Sequence, residues 1–361
     1  MTALLMTGFP GFLGSALLPR LLDRREGVRA VCLVQPHHMA TARRRVRELE
    51  SAHPHVRGRL VLTEGDITAP DLGIARPGLV ENVTEVWHLA AVYDLAVAPE
   101  IARRVNVDGT ARVLEFCGSL HGLRRLQYVS TCYVSGRYEG EFTEDDLDAG
   151  QRFRNHYEAT KYEAELLVRK AMADGLPATI YRPGIVVGDS HTGETQKYDG
   201  PYFLATFLRR LPFVAVVPQV ADPDEVRFGL VPRDFVLDAM DELSVLDRSV
   251  GRTYALTDPH PPTVRELVDT FARHLGRRVI WLPLPLGLTR FVIDSVPGVE
   301  WLFGLPAEAV DYVASPTTYS TAHTEADLAG TGAVCPPFES YADRLLDFMR
   351  SHPEIGSRAM V

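Results

Sequence analysis

The sequence predicts an α/β fold in which a doubly wound parallel sheet precedes a smaller C-terminal α/β region. Three observations lead to this prediction: apolar runs alternate with helical patterns, a glycine-rich turn follows the first run, and the chain has 361 residues. A chain of this length suggests about two domains. Strands that alternate with helices at this spacing form parallel sheets with right-handed crossovers. In such sheets a ligand lies beyond the carboxyl ends of the strands.

Six apolar runs in the first half of the chain are expected to form the strands of this sheet. In chain order they are TALLMTG, VRAVCLV, RLVLTEGDI, VTEVWHLAA, RLQYVST and PATIYRPGIVVG. Helical patterns lie between them, including FLGSALLPRLLDR after the first run and EAELLVRKA before the last. Beyond these runs the pattern loosens into a polar, glycine-rich loop and proline-punctuated elements. We therefore expect a first domain over residues 1–188 and a second region over residues 189–361, with the segment 226–258 returning to the first domain.

Composition and charge exclude several classes of function. Apolar residues make up 46% and charged residues 24%, as in an ordinary globular protein. The formal charge of −9 argues against a general nucleic-acid binder, although the arginine run at 43–47 can form either a local anion site or an exposed helix face. The four cysteines lack the spacing of metal ligands, so we expect neither a metal site nor a disulfide framework. Because uninterrupted apolar runs stay below about 18 residues, we expect a cytoplasmic protein without a transmembrane segment.

One long apolar segment lies in the second region, at residues 279–293. It contains two prolines and an arginine, which interrupt any regular element there. Two interpretations remain for this segment: the core of the second region, or a surface that binds acyl chains or lipid.

Three glycines follow the first predicted strand in the stretch TGFPGFLG. They form a G-x-x-G-x-x-G arrangement between a strand and a helix. Glycine permits a tight turn and a close approach of the backbone to a pyrophosphate, whose charge is favoured by the amino terminus of the following helix. The position therefore predicts a dinucleotide site. The residues assigned to it are Gly8, Phe9, Pro10, Gly11, Phe12, Leu13 and Gly14.

The second predicted strand ends without the carboxylate that would hold a ribose 2′-hydroxyl. Gln35 stands there instead, and Arg43 and Arg44 follow. A carboxylate would repel a 2′-phosphate and arginines would attract one, so we predict NADP(H) as the preferred cofactor, with NAD(H) as the alternative. Asp66 and Ile67 follow the third strand and are expected beside the adenine, although an aspartate there can also cap a turn.

A tyrosine and a lysine lie four positions apart in NHYEATK, at Tyr157 and Lys161. This spacing puts both side chains on one face of a helix. A lysine ammonium near a phenol lowers the pKa of the phenol, as general acid/base catalysis near neutral pH requires. Ser130 and Thr131 end the preceding strand, where their hydroxyls can bind a carbonyl oxygen. By itself the pair also fits an exposed helix face.

These motifs occur in the order of a known family. The glycine turn, WHLAA, NVDGT, VST, Y-x-x-x-K and YRPGIVVG follow one another within residues 1–260. In this order they resemble the extended short-chain dehydrogenase/reductase family, whose NAD(P)-binding domain is a Rossmann fold. The resemblance implies that Tyr157 is the catalytic acid/base and that Lys161 lowers its pKa and holds the nicotinamide ribose. It also implies that Thr131 positions the reacting oxygen.

The same resemblance gives roles to five other residues. Asn106 in NVDGT is similar to the asparagine that orders the active-site helix and its water. Ala90 and Ala91 would line the pyrophosphate and the nicotinamide ribose. Pro183 and Ile185 would pack against the nicotinamide.

Longer phrases point to one branch of the family. GDIT, WHLAAVYD, VSTCYVSG and FRNHYEATKYEAE look like fatty acyl-CoA reductases and the terminal reductase domains of carboxylic acid reductases and peptide synthetases. Those enzymes typically use NADPH, deliver hydride to a thioester carbonyl and release an aldehyde. Gln35 departs from their pattern, which usually has an arginine there, and this departure leaves Arg43 or Arg44 to bind the phosphate.

We therefore expect an NADP(H)-dependent reductase of an apolar carbonyl substrate, either an acyl thioester or the derived aldehyde. The alternatives are a nucleotide-sugar epimerase or dehydratase, a 3-hydroxy or steroid-type alcohol dehydrogenase, and a non-catalytic cofactor sensor. Cys132 and Tyr133 stand where a dehydratase usually adds an acidic pair. The presence of Tyr157 and Lys161 argues against a sensor. A homodimer through helices of the cofactor domain would fit the family, and peripheral lipid contact would fit the segment 279–293.

Overall fold

Strands and helices alternate through the first half of the chain in the computed structural model, which describes residues 2–93, 97–284, 287, 312 and 315–356. The strands are β1 (Ala3–Thr7), β2 (Arg29–Val34), β3 (Leu60–Glu64), β4 (Val83–His88), β5 (Arg125–Val129), β6 (Gly140–Phe142), β7 (Ala178–Pro183), β8 (Ile185–Val187), β9 (Val214–Gln219), β10 (Leu230–Pro232), β11 (Thr253–Leu256), β12 (Arg278–Pro283) and β13 (Thr317–Tyr319). The helices are α1 (Phe12–Arg24), α2 (Met39–Ala52), α3 (Pro99–Ala102), α4 (Gly109–Ser119), α5 (His156–Ala173), α6 (Pro201–Arg210), α7 (Arg233–Ser244), α8 (Val264–His274), α9 (Ala322–Leu328) and α10 (Ala342–Ser351). A π-helical stretch, Arg103–Asp108, joins α3 to α4 without a break.

Seven parallel strands form the central sheet, in the order β3-β2-β1-β4-β5-β7-β11. The chain runs outward from β1 to β3 and then crosses to β4 on the other side of β1. At such a reversal the connections leave in opposite directions, which opens a crevice beyond the carboxyl ends of the two central strands. The predicted doubly wound fold class is confirmed, and its crevice lies beyond β1 and β4.

The buried sequence of β1 explains why two layers of helices cover the sheet. All five of its residues are buried, as expected for a central parallel strand. Successive side chains alternate between the two faces. Leu4 and Met6 belong to the core shared with α1 and α7, and Leu5 belongs to the core shared with α4 and α5.

A second core lies between α6, α8 and α10 and the two-stranded parallel sheet of β9 and β12. Thr263 and Glu266 form a capping box that begins α8: the Thr263 hydroxyl accepts from the Glu266 N–H at 3.1 Å, and the Glu266 carboxylate accepts from the Thr263 N–H at 2.8 Å. From residue 285 onward the predicted apolar segment lies outside the described residues, apart from Gly287. Among the described residues, the helices are too short or too polar to cross a membrane.

Two segments of the second region pack on the first half of the chain. Strand β11 pairs with β7 at the edge of the central sheet, and α7 lies against α1 with ion pairs such as Arg20–Asp238 at 2.9 Å. Strand β13 pairs with β6, and Asp327 of α9 accepts a hydrogen bond from Tyr254 at 2.6 Å. The first return was expected for residues 226–258. The second contact was not expected, and the division into domains at 1–188 and 189–361 stays a prediction.

A buried ion pair attaches α5 to the sheet. Glu165 and Arg182 are at most 1% exposed, and their side chains meet at 2.6 Å. Glu165 also accepts a hydrogen bond from the Ser130 hydroxyl at 2.6 Å and one from Arg169 at 3.1 Å. Although burial pushes the pKa of Glu165 upward, the Arg182 guanidinium and these partners bring it below its ordinary value. The carboxylate is therefore charged and links α5 to β5 and β7.

The substitution Glu165→Ala should destabilise the fold by about 3–5 kcal/mol, because it leaves the buried Arg182 guanidinium with backbone carbonyls but without a carboxylate to neutralise its charge. Urea unfolding of the purified protein measures this loss. Glu115→Ala is the matched control, because Glu115 pairs with Arg112 on an exposed helix surface and its removal should cost about 0–1 kcal/mol. Equal losses in the two variants would contradict the role assigned to the buried pair.

Candidate active site

The glycine turn has no room for side chains at its three glycines. Gly8 has a φ of +86°, and a Cβ there would lie 2.8 Å from the carbonyl carbon of Leu89. A Cβ on Gly11 or Gly14 would lie 2.7 or 2.9 Å from the carbonyl oxygen of Gly8. Distances below about 3 Å between such atoms are repulsive. The turn therefore holds its shape only with glycine at these positions.

The turn ends at the amino terminus of α1, where an anion is favoured. Gly11 is the N-cap of this 13-residue helix and brings no side-chain oxygen to its first N–H groups. Unsatisfied N–H groups and the helix dipole together attract phosphate. The predicted residues of the turn all line one cavity of about 1000 Å³ in the crevice. The shape and the donor groups of this cradle fit a pyrophosphate, so the residues present fit a dinucleotide cofactor.

Gln35 and Asp66 lie together at one end of this cavity. The Gln35 amide donates to Asp66 at 2.9 Å, and Asp66 also accepts from the Thr68 N–H at 2.8 Å and hydroxyl at 2.9 Å. Burial raises the pKa of Asp66, but the hydrogen bonds and the nearby Arg104 lower it below its ordinary value. Ile67 lines the same end. These are the positions predicted for the adenosine.

Arg43 and Arg44 do not join them within the described part of the chain. Arg43 lines a separate hollow beside Glu64 and Arg76, and Arg44 pairs with Glu48 at 3.8 Å on the surface of α2. Neither arginine lines the cavity in this structure, and a role for either in binding the 2′-phosphate stays a prediction. Helix α2 begins only at Met39, and the arginines fall on its faces that turn away from the crevice.

Four of the predicted residues line the part of the cavity that lies on the other side of the glycine turn from Gln35 and Asp66. Ala90 and Ala91 follow β4, and the Ala90 N–H donates to the Thr7 hydroxyl at 3.1 Å. Pro183 ends β7, and Ile185 begins β8. Since β4 and β7 lie on the same side of β1, their ends form one continuous wall of the cavity.

Tyr157 and Thr131 meet at this wall. The Tyr157 phenol is hydrogen-bonded to the Thr131 hydroxyl, and both residues line the cavity. Asn155 caps α5 by accepting the Glu158 N–H at 3.0 Å, which places Tyr157 in the first helical turn. Burial raises the pKa of Tyr157 to about 12. The phenol is therefore protonated near neutral pH and can donate a proton to an oxygen in the cavity.

Lys161 lies one turn further along α5 and is almost fully buried. Its Nζ donates to the Val129 carbonyl at 2.8 Å and to the Tyr128 hydroxyl at 3.1 Å. Burial lowers the pKa of Lys161 to about 7. The expected lowering of the Tyr157 pKa by Lys161 is not found: burial raises this pKa, and the Thr131 hydroxyl is the group that lowers it.

Asn106 lies in the π-helical stretch and connects two parts of the site. Its side chain accepts from the Val92 N–H at 2.9 Å and donates to the Val92 carbonyl at 3.0 Å. It also donates to the Thr160 hydroxyl of α5 at 3.1 Å. Turns of π-helix occur often at functional sites, where they re-aim a side chain. Here the stretch turns Asn106 inward between the cavity wall and α5, as its predicted role in ordering that helix requires.

Three aromatic residues that the motifs did not indicate also surround the site. The Tyr128 hydroxyl accepts a hydrogen bond from Lys161. The His88 ring nitrogens form hydrogen bonds with the Thr7 hydroxyl at 2.8 Å and the Thr110 hydroxyl at 3.1 Å. Tyr312 lines the cavity and accepts from the Asn155 amide at 2.7 Å. The alternation of side chains along this segment puts Tyr128 and Ser130 on the face of the sheet that packs against α5, which was a usable signal. Tyr312 has no comparable signal because it lies far along the chain.

Beyond Tyr157 the cavity becomes apolar. The side chains of this part come from α6, β9, α8, β12 and the strand-like segment before β10, and they share only their apolar character. They are Phe203, Leu204, Phe207, Val217, Phe228, Val264, Leu267, Val268 and Trp281. The polar cradle and this apolar pocket thus form one space, with Tyr157, Thr131 and Lys161 between them.

The sequence of this chain matches a known protein family over most of this architecture. A profile of the family described as "Male sterility protein" matches residues 6–240, which is more than half of the chain. The chain belongs to this family. The match covers the glycine turn, the Tyr157 helix and the strands up to α7, so the resemblance to extended short-chain dehydrogenase/reductases is confirmed.

Several relatives of this male sterility family protein are reductases or contain reductase domains. It is similar to the non-canonical nonribosomal peptide synthetase cpsA of Aspergillus campestris, with 30% identity over 300 residues, 77% of this chain and 28% of that protein. It is similar to the fatty acyl-CoA reductase wat of Drosophila melanogaster, with 28% identity over 219 residues, 50% of this chain and 42% of that protein. The chain therefore spans less than half the length of either relative.

A solved structure extends the similarity to the second region. The terminal R domain of the myxalamid PKS-NRPS biosynthetic pathway matches with a TM-score of 0.83 and 27% identity, over 98% of this chain and 91% of that one. The predicted class, an NAD(P)-binding reductase of the extended short-chain dehydrogenase/reductase type, is confirmed by these relatives. The substrate and the choice between NADPH and NADH are separate questions.

The substitution Gly11→Ala should weaken the binding of a nicotinamide dinucleotide by about tenfold or more, since overpacking against the Gly8 carbonyl costs about 1–3 kcal/mol. Quenching of protein fluorescence on titration with NADPH measures the dissociation constant. Gly118→Ala is the control, because a Cβ there meets open space at the end of α4. Unchanged binding in Gly11→Ala would show that the turn is not the pyrophosphate cradle.

Proposed function

We propose that the protein uses NADPH to reduce the carbonyl of an apolar acyl thioester, or of the aldehyde derived from it. The observation that carries this proposal is the position of Tyr157, Thr131 and Lys161 between a phosphate cradle and an apolar pocket within one cavity. A cofactor held in the cradle would extend toward Tyr157, and an acyl chain in the pocket would bring its carbonyl to the same place. The names of the peptide synthetase and fatty acyl-CoA reductase relatives support a thioester substrate.

The chain's own residues would manage the proton and the charge on oxygen. A bound reduced nicotinamide supplies the hydride that adds to the carbonyl carbon. Thr131 orients the carbonyl oxygen by hydrogen bonding, and the Tyr157 phenol gives it a proton as the negative charge develops. For a thioester, the carbon–sulfur bond of the resulting hemithioacetal then breaks, the sulfur takes the hydroxyl proton, and an aldehyde and a thiol leave.

Lys161 would stabilise the tyrosinate that remains after proton transfer. Its Nζ is held by Val129 and Tyr128 on the same face of α5 as Tyr157, with one helical turn between them. A positive charge on the neighbouring helical turn would favour the phenolate as it forms. The charge is present only while the amine is protonated, which connects the reaction to pH.

NADPH is favoured because the end of β2 carries Gln35 in place of a carboxylate. Arg104, His37 and His38 line this end of the cavity. A carboxylate is present at Asp66, but Thr68 and Gln35 already use its oxygens as acceptors. This arrangement accepts a 2′-phosphate more readily than one in which a free carboxylate faces the ribose.

Absorbance of NADPH, followed with purified protein and a panel of substrates, tests the proposed reaction. Oxidation should occur with a long-chain acyl-CoA and with the matching aldehyde, because the apolar pocket accepts the chain in both. Turnover of a simple ketone with silence toward the acyl-CoA would move the protein to the alcohol dehydrogenases. Conversion of a UDP-sugar without net oxidation would instead support an epimerase.

The substitution Tyr157→Phe should reduce turnover by about 10²–10⁴-fold, the usual contribution of a positioned acid/base, while the dissociation constant for NADPH stays within about twofold. Steady-state rates and fluorescence titration separate the two effects. Tyr162→Phe is the matched control on the same helix, because Tyr162 packs against Phe153 and not against Thr131 or Lys161. Equal rates for Tyr157→Phe and the wild type would end the assignment of Tyr157 as the acid.

The turnover rate should fall as pH rises through about 7, because Lys161 then loses the proton that gives it charge. Below that pH the amine is charged and the rate should stay level. Lys161→Arg should abolish the fall, since a guanidinium keeps its charge at every pH used, although its different shape should lower the rate itself. A falling limb that persists in Lys161→Arg would assign the titration to another group.

A further inference from the structure

Two adjacent histidines lie at the adenosine end of the cavity. His37 and His38 belong to a short turn directly after β2, and both line the cavity together with Gln35 and Asp66. In a doubly wound sheet the residues that follow this strand face the ribose 2′ position of a bound dinucleotide. The two rings are 4.0 Å apart between centroids, so one phosphate can contact both.

We propose that protonated His37 and His38 bind the 2′-phosphate of NADPH, so that the preference for NADPH over NADH weakens as pH rises. This inference rests on the proposed function, because it assigns the cofactor choice of that same site. The arginines of α2 lie outside the cavity, and a histidine pair occupies the position where a permanent cation was expected. A permanent cation would give a constant preference, whereas imidazoles change charge near neutral pH.

The charged groups around His37 and His38 do not prevent the two histidines from binding the 2′-phosphate. Asp66, after β3, is occupied by Thr68 and Gln35. Arg104, from the π-helical stretch, lines the same end and supplies a charge that does not vary with pH. The glycine turn contains only apolar side chains, and α2 presents Arg43 to a different hollow. The histidines are therefore the groups at this end whose charge varies with pH.

Binding of the phosphate should be coupled to proton uptake. Burial, followed by the charge of His37, lowers the pKa of His38, so the free pair resists double protonation. A phosphate in contact with both rings offsets this repulsion by attraction and favours the protonated forms. NADPH should therefore bind with net uptake of protons by the protein, and NADH should not.

The phosphate's own titration changes affinity in the opposite direction. Its second pKa lies at about 6, so its negative charge grows as pH rises. If fixed cations such as Arg104 alone bound it, NADPH would bind more tightly at higher pH. If the histidines bind it, NADPH binds less tightly above the histidine pKa. The sign of the pH dependence thus distinguishes the two arrangements.

Dissociation constants for NADPH and NADH, measured by fluorescence titration from about pH 6 to about pH 8, test the inference across the ordinary histidine pKa. In the wild type the NADH-to-NADPH ratio of these constants should fall by roughly tenfold over this range, as expected for the loss of a charge-assisted hydrogen bond. The double variant His37→Gln, His38→Gln should show a lower ratio that no longer falls with pH and instead rises as the phosphate gains charge beside Arg104. Calorimetry in buffers of different ionisation enthalpy should detect proton uptake with NADPH only in proteins that retain the pair.

The variant His53→Gln, His55→Gln is the matched control, because it removes a second histidine pair at the far end of α2 and should keep the wild-type pH dependence. A ratio that is independent of pH in the wild type would overturn the inference and leave the reductase proposal intact. A fall of the ratio with pH that persists in His37→Gln, His38→Gln would also overturn the inference. So would a preference for NADPH that disappears in Arg43→Ala, Arg44→Ala. Failure of both cofactors to bind would overturn the proposed function, and the inference with it.

Discussion

The site depends on how one face of α5 is attached to the carboxyl ends of the sheet. Tyr157, Lys161 and Glu165 are spaced by four residues and therefore lie in a row along the helix. Each contacts the segment from Tyr128 to Thr131: Glu165 binds Ser130, Lys161 binds Tyr128 and Val129, and Tyr157 binds Thr131. Any slide of the helix along the strand would break all three contacts together, so the catalytic geometry and the packing of the fold are the same constraint.

Burial leaves the three ionisable groups of this row with pKa values shifted in different directions. Glu165 keeps its charge because two arginines and a serine surround it, whereas Lys161 has only neutral oxygens as direct partners and its pKa falls to about 7. Tyr157 remains a phenol because removing its proton would leave a buried anion. The ion pair at Glu165 therefore supplies the rigidity, which leaves Lys161 and Tyr157 free to exchange protons. A site in which every charge was fully neutralised would hold the helix equally well and would lack this chemistry.

The sequence predicts local features of this molecule better than contacts between distant parts. The strands, the glycine turn and the Tyr157 helix follow from patterns within a few residues, and the doubly wound order follows from their alternation. Glu165 was not found, because its partner Arg182 lies on another strand and the spacing of α5 alone does not show which turn is buried. The orientation of Arg43 and Arg44 could not be predicted for a related reason. A run of arginines on a helix predicts charge, but the direction in which each side chain points is set by where the helix begins, which is Met39.

The two halves of the cavity also differ in whether their lining residues are close together or far apart in the sequence. This difference explains why the proposed cofactor end was predictable and the proposed substrate end was not. The cradle is built from turns that directly follow β1, β2 and β4, so each residue is positioned by the strand beside it in sequence. The apolar pocket is built from α6, β9, α8 and β12, whose side chains meet only after the second core has formed. Changes on those helices can reshape the pocket without disturbing the row on α5. The fold thus keeps the proposed site of hydride transfer on the sheet and leaves the shape of the apolar pocket to a separately packed core.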